Sequence, residues 1–372
     1  MQNTTLDSED LNIDESWCNT NKPFNFFGPC SAESPEQLHA TAKDIAKNHP
    51  SAIFRAGVWK PRTRPNSFQG IGEQALEWLR EIKDEYQLKI ATEIANPFHL
   101  EKCLDAGVDV LWIGARTTVN PFAVQAIADA LKGVDIPVFV KNPINPDLSL
   151  WLGALERINK AGINKLGAIH RGFHLSDNGP YRNYPNWNLA VQLKASYGKL
   201  PLICDASHIS GKTSLIPQVA QKAYDLDMDG LMVETHYNPE LALSDKDQQL
   251  RPVELSNMLA NLVRKESSSS NLVFQNQLEM LRNKIDKIDD NFMDLLAVRM
   301  DIAKQIGQYK KQNNVTILQL ERWNKILKRV LENGKALGLS ENFVQEMFNV
   351  VHDESIRQQT GIQKGDEKYT AE

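Results

Sequence analysis

No apolar run in this 372-residue sequence approaches the roughly 18 residues that a membrane span needs, so a soluble chain is expected. The first 21 residues hold neither Lys nor Arg and no apolar stretch, which excludes the basic start and hydrophobic centre of a secretory signal. Cysteine is scarce. Cys18, Cys30, Cys103 and Cys204 are too few for a disulfide framework in a chain of this length, and point to a reducing compartment, most simply the cytoplasm. An excess of positive charge is also missing. With 42 basic and 47 acidic residues the net charge is −5, and no basic field marks a nucleic-acid partner. Proline is absent after Pro252, although all 17 prolines fall between Pro23 and that point. Because proline is nearly excluded from helix interiors, the chain reads as a turn-rich first part and a second part of long helices.

The first part alternates short apolar runs with amphipathic stretches. The runs cover 24–29, 52–59, 89–94, 110–115, 137–142, 165–172, 200–206 and 230–236. Helical stretches such as 34–49 and 72–86 separate them. Continuous apolar strands alternating with helices imply a parallel sheet covered on both faces. Eight such units over 24–263 predict a (β/α)₈ TIM barrel, in an overall α/β chain with an all-α domain behind it. An open doubly wound sheet is the alternative, but GPCSAES (28–34) is not its glycine-rich phosphate turn. Only about 23 residues precede the barrel, so a separate N-terminal regulatory domain is not expected.

A serine-rich polar stretch, 264–271, reads as a linker to a helical domain over 272–360, with a polar tail over 361–372. From Phe274 to Tyr309, apolar residues recur at steps of four and three, with Arg299 in one stripe position. A helix near 38 residues, about 55 Å long, is more than one small domain can bury, which predicts a bundle completed by a second chain.

In a barrel, chemistry collects at the C-terminal strand ends. Arg55, Lys60, Arg116, Lys141 and Arg171 all follow strands there. Each alone could pair with a surface carboxylate. Five together call for an anionic substrate bearing phosphate and carboxylate groups. Cys30, His208, Glu234 and Asp245 fall at strands one, seven and eight, which are neighbours once a barrel closes. A thiolate, an imidazole and two carboxylates suit a divalent transition metal, although Cys30 could be a core residue and His208 a satisfied loop histidine. In the helices, a buried guanidinium needs an anion, so Arg299 should face one. Lys310, eleven residues on, is about 20° around the same helix, whereas Arg282 is about 25 Å away along the axis and must serve another site or a partner's ligand.

GPCSAES (28–34), RAGVWKPRTRPNSFQG (55–70), IGARTT (113–118), CDASHISGK (204–212) and VETHYNPELALSD (233–245) resemble the 3-deoxy-D-arabino-heptulosonate 7-phosphate (DAHP) synthases, closest to the subgroup related to 3-deoxy-octulosonate 8-phosphate synthases. The resemblance implies condensation of phosphoenolpyruvate with erythrose 4-phosphate. It makes Cys30, His208, Glu234 and Asp245 the ligands of a divalent metal, Mn²⁺ first, with Fe²⁺, Co²⁺ or Zn²⁺ as alternatives. Arg55, Lys60, Arg116, with Gly114 and Ala115 beside it, Lys141 and Arg171 become phosphoenolpyruvate contacts. Pro61, Arg62 and Thr63 become aldose phosphate contacts, and KPRT (60–63) argues against the longer octulosonate sugar. Lys60 is then the proton donor or shuttle, its pKa expected to fall through crowding by neighbouring cations. His170 departs from the acidic residue often found before that arginine.

LRNKIDKIDDNFMDLLAVRMDIAKQIGQYK (281–310) with ESIRQQ (354–359) resembles the all-helical chorismate mutases, which are intertwined dimers taking one Arg from the other chain. The resemblance makes Arg282, Arg299, Lys310, Arg322, Ser355 and Gln359 the contacts of chorismate or prephenate, with Arg299 and Lys310 catalytic. Trp323 stands where that family commonly has the Glu that helps hold the substrate hydroxyl, and Gln319 where it commonly has Asp. The expectation is a bifunctional enzyme of aromatic biosynthesis whose helical domain also inhibits the barrel. The competing reading makes the helices a ligand-sensing dimerisation module without catalysis.

Overall fold

A computed structural model of the chain describes residues 11–61, 67–265 and 269–364. It divides into two compact units, residues 1–267 and 268–372. In the first, strands β1 (Phe26–Gly28), β2 (Ile53–Arg55), β3 (Lys89–Ile94), β4 (Val110–Ile113), β5 (Val138–Lys141), β6 (Leu166–His170), β7 (Leu202–Asp205) and β8 (Gly230–Glu234) close a barrel in sequence order. Every strand pairs parallel to its neighbours, and β1 closes onto β8 with Gly28 opposite Glu234. Each of the eight apolar runs read from the sequence contains one strand.

The helices of this unit are α1 (Glu15–Asn21), α2 (Pro35–Asn48), α3 (Gln74–Tyr86), α4 (Pro97–Asp105), α5 (Ala115–Thr118), α6 (Pro121–Ala130), α7 (Leu148–Lys160), α8 (Trp187–Ser196), α9 (Ala206–Ser210), α10 (Ile216–Asp225) and α11 (Pro252–Asn261). Proline sits in the first turn of α2, α4, α6, α10 and α11, where its missing N–H costs nothing. Ser34, Asn96, Asn120 and Asp147 cap helix N-termini through their side-chain oxygens. Five of the prolines therefore mark helix starts, and Pro137 and Pro201 directly precede β5 and β7.

Two cores follow from the barrel. Phe26, Ile53, Ala91, Val110, Trp112, Phe139, Ile169, Ile203 and Met232 fill the inside, while a larger apolar shell joins strands to helices. Among the residues that precede β1, helix α1 packs against the barrel. Trp17 of α1 packs on Phe24 with ring centroids 5.0 Å apart, and Cys18 is buried. The segment is acidic and its apolar residues, Leu11, Ile13, Trp17 and Cys18, are sparse, so no periodic run marks the contact.

In the second unit, α12 (Leu272–Gln312), α13 (Leu320–Ala336) and α14 (Glu341–Lys364) follow one another. Helix α14 runs past residue 360, so the tail expected from 361 begins as helix. The periodic stripe of α12 is exposed: Ile285, Phe292, Leu295, Ile302 and Tyr309 all face outward within this chain. The face that packs on α14 is instead built from Ala303 and Gly307. Arg299 lies at the border of the two faces.

Candidate active sites at the barrel mouth and in the helices

The C-terminal strand ends converge on a cleft of about 460 Å³. Lys60, Pro61, Ala115, Arg116, Lys141, Arg171, His208 and Asp245 all line it, together with Glu93, Arg182 and Asn183, which sequence reading missed. A larger cleft of about 770 Å³ lies alongside and shares Arg182, but Glu240, Asp247 and Glu254 dilute its positive charge. The smaller one has the electrostatics an anionic substrate needs.

Asp205, at the end of β7, organises one wall. Its carboxylate accepts from Lys141 Nζ at 2.8 Å and from His208 Nδ1 at 3.0 Å, and caps the backbone N–H of His208. Burial alone would raise its pKa, but His208 and Lys141 hold it well below the usual carboxylate range. The pairing turns His208 Nε2 toward Glu234 Oε1, 3.9 Å away. Burial lowers the His208 pKa, which leaves the ring neutral with Nε2 as a lone-pair donor.

Cys30, Glu234 and Asp245 present ligand atoms within 4.8 Å of one another. His208 stands just outside that group, facing Glu234. Cys30 Sγ is 3.5 Å from Asp245 Oδ2. Glu234, fully buried, accepts from Arg55 Nη1 at 3.1 Å and from Gln248 Nε2 at 2.7 Å. Asp245 adopts a left-handed backbone (φ 48°), a strained conformation for a non-glycine residue, and pairs with Arg182 at 3.2 Å. Burial, reinforced by Glu234, pushes the Cys30 thiol up to about 12 against the opposing charge of Lys60. A thiolate forms here only with strong positive charge beside it. The donor set therefore fits a divalent cation: one thiol, two carboxylates and an imidazole whose second nitrogen already donates to a carboxylate.

Three of the expected ligand contacts have further neighbours in the structure. Arg55 does not line the cleft. It is fully buried, over Trp112 and bonded to Glu234 and to the Cys30 carbonyl, so its charge also offsets the buried Glu234 carboxylate. Lys60 is not crowded by cations alone. Its Nζ lies 3.0 Å from Cys30 Sγ and donates to the Cys30 carbonyl, because the β1 and β2 ends run side by side. Gly114 caps α5 and does not reach the cleft; a Cβ there would strike Glu93. Arg62 and Thr63 lie outside the described residues.

Arg171 is held by Asn183 Oδ1 at 2.7 Å, and its backbone N–H donates to Asn142 Oδ1 at 2.6 Å. Burial lowers its pKa to about 10, which still leaves it charged. Arg182 and Asn183 sit in the aperiodic stretch between β6 and α8, where no sequence pattern marks them.

In the helical unit, Arg299 Nη1 donates to Ser355 Oγ at 2.6 Å, and Gln359 packs against Gly307 one turn further along. Lys310 Nζ donates to the Ile317 carbonyl at 2.5 Å. Arg299 and Ser355 are thus in direct contact, whereas Arg282 and Arg322 are exposed on α12 and α13.

Family models match both parts of the chain. The DAHP synthetase I family model matches residues 11–269, and the chorismate mutase type II model matches residues 281–360. The phospho-2-dehydro-3-deoxyheptonate aldolase of Thermotoga maritima is 33% identical over 223 residues, 60% of this chain and 64% of that protein. The match thus spans somewhat less than two thirds of that relative. The 2-dehydro-3-deoxyphosphooctonate aldolase of Helicobacter pylori is 30% identical over 269 residues, 66% of this chain and 96% of that one. The crystal structure of the Thermotoga maritima DAHP synthase superposes with a TM-score of 0.58 at 30% identity, covering 64% of this chain and 68% of the other. This chain belongs to the DAHP synthetase I family and carries a chorismate mutase type II domain behind its barrel.

Proposed function

We propose that the chain is a bifunctional enzyme of aromatic biosynthesis. The barrel condenses phosphoenolpyruvate, erythrose 4-phosphate and water to DAHP and phosphate, and the helices rearrange chorismate to prephenate. The observation that carries the first activity is one cleft lined by Lys60, Arg116, Lys141, Arg171 and Asp245, with the buried donors Cys30 and Glu234 within 4.8 Å of Asp245.

A divalent cation held by Cys30, His208, Glu234 and Asp245, Mn²⁺ first, would supply Lewis-acid polarisation of the aldose carbonyl. The chain's own residues do the rest. Arg116, Lys141 and Arg171 bind the phosphate and carboxylate of phosphoenolpyruvate and hold its C3 against the aldehyde carbon. A C3–C bond forms, positive character passes to C2, water adds there, and phosphate leaves by C–O cleavage. Lys60, at the rim, protonates the former aldehyde oxygen. In the helices Arg299 and Lys310 fold a dicarboxylate into its reactive conformer and stabilise the ether oxygen as it breaks.

Supporting a homodimer is the exposed apolar stripe of α12, which a second copy would cover, bringing its Arg282 to the partner's ligand. No helix among the described residues is long and apolar enough to cross a membrane. The described cysteines are free, in keeping with a cytoplasmic setting. The octulosonate reading is favoured by the Helicobacter relative and opposed by KPRT (60–63).

One coupled assay tests the barrel. Erythrose 4-phosphate should be consumed, arabinose 5-phosphate should not, chelation should stop turnover and Mn²⁺ should restore it. Full activity after exhaustive chelation rejects the metal, and preferential use of arabinose 5-phosphate rejects the aldose assignment. Chorismate disappearance tests the helices; its absence, with ligand still bound, leaves the sensing module.

A further inference from the structure

Trp323 of α13 and His352 of α14 are stacked face to face, with ring centroids 3.9 Å apart and planes 11° apart. Neither belongs to the dicarboxylate clamp described above. His352 is nevertheless on the clamp's side of α14, because Ser355 and Gln359 follow it at steps of three and four. Arg299 binds both Ser355 Oγ and, at 3.4 Å, the Val351 carbonyl in the turn that carries His352. Two polar atoms along this stripe are buried without a hydrogen-bond partner: His352 Nε2 and Gln359 Oε1. Buried polar atoms are nearly always satisfied, so a pair of them beside two cations marks where a ligand's polar groups belong.

The types of residue narrow the contact. Tryptophan offers one donor and no acceptor, so Trp323 cannot replace a carboxylate that receives a hydroxyl proton. Its ring does fix the rotamer of the imidazole stacked on it. Burial, with Arg299 and Lys310 adding to it, lowers the His352 pKa and keeps the ring neutral. A neutral imidazole has one donor and one acceptor nitrogen, and it brings no negative charge toward a substrate that already carries two carboxylates.

We propose that His352, braced by Trp323, supplies the hydrogen bond to the ring hydroxyl of the mutase substrate that the resembling family takes from a glutamate. The inference rests on the chorismate mutase reading and assigns a residue within that site.

The test uses the full chain with chorismate and with an analogue in which hydrogen replaces the ring hydroxyl. Wild type should prefer chorismate in kcat/KM. His352→Ala should shrink that preference about tenfold through chorismate alone, leaving the analogue within about twofold, as expected when one buried hydrogen bond to a substrate is lost. His352→Gln, which keeps a donor and an acceptor, should restore part of the preference, and it carries the test should the alanine variant not fold. An undiminished preference in His352→Ala or in a His352→Gln protein of normal melting temperature, while Arg299→Ala still abolishes turnover, overturns this assignment alone. A wild-type chain that neither binds nor converts chorismate overturns the mutase reading and this one with it.

Discussion

Individual buried side chains set the limits within which the barrel can work. The Lys141–Asp205 pair is almost wholly shielded from water, and removing either partner would strand a charge, a loss of about 3–5 kcal/mol for such pairs. Next along the rim, His170 is completely buried among Trp151, Phe173 and Trp187. Burial depresses its pKa to about 3, from an ordinary value of 6.5. Above 6.5 the ring is neutral in both folded and unfolded chains and has no effect. Between 6.5 and 3 the unfolded chain takes up a proton that the folded chain refuses, so stability falls as the pH is lowered. One proton is worth about 1.4 kcal/mol per pH unit. Urea titrations at pH 6, 5 and 4 should therefore show a shallower loss of stability in His170→Leu than in wild type. Parallel losses would mean that the ring titrates freely in the native barrel.

Elements differ in how openly the sequence declares them. Strands buried on both faces read as unbroken apolar runs, and the prolines that open the helices mark the turns between. Cys30, Glu234 and Asp245 were legible because strand order brings the ends of β1 and β8 together. The bond from Arg55 to Glu234 was not, since a cation at a strand end looks the same whether or not it also props up a buried carboxylate. Arg182 and Asn183 had no periodic signal to carry them. Helix α12 is the sharpest case. Its apolar stripe announces a helix, yet its contact with α14 uses Ala303 and Gly307, small residues that no hydrophobic pattern picks out. A Cβ on Gly307 would lie 3.1 Å from the Gln359 backbone, so the two helices approach as closely as they do because the side chain is missing. Gly307→Val should push α14 away, separate Gln359 and Ser355 from Arg299, and cost about 1–3 kcal/mol by overpacking. Chorismate conversion should fall at least about tenfold, in line with the loss from misplacing a bound reactant by an ångström. Condensation by the same preparation should be unchanged. Intact chorismate conversion in that variant would show that the α12–α14 contact does not hold the site.

The whole molecule combines two units, each with its own candidate site: the proposed barrel donors lie between Cys30 and Asp245, and the proposed helical contacts between Arg299 and Gln359. The two proposed reactions are not consecutive, so handing a substrate from one site to the other cannot be the reason for joining them. Control can. A site that binds chorismate or prephenate reports the level of material downstream of the barrel's product, and a ligand that favours one state of the joined chain over another shifts the barrel's activity by its differential affinity. Deletion of residues 265–372 separates the possibilities. The remaining barrel should condense phosphoenolpyruvate with erythrose 4-phosphate at a kcat within about twofold of the full chain, as expected of a domain with its own core. It should no longer respond to chorismate or prephenate, and its mass in solution should fall to that of a chain without the α12 stripe to pair through. Inhibition that persists unchanged in the shortened chain would locate the control within the barrel and leave the fusion to be explained by catalysis alone.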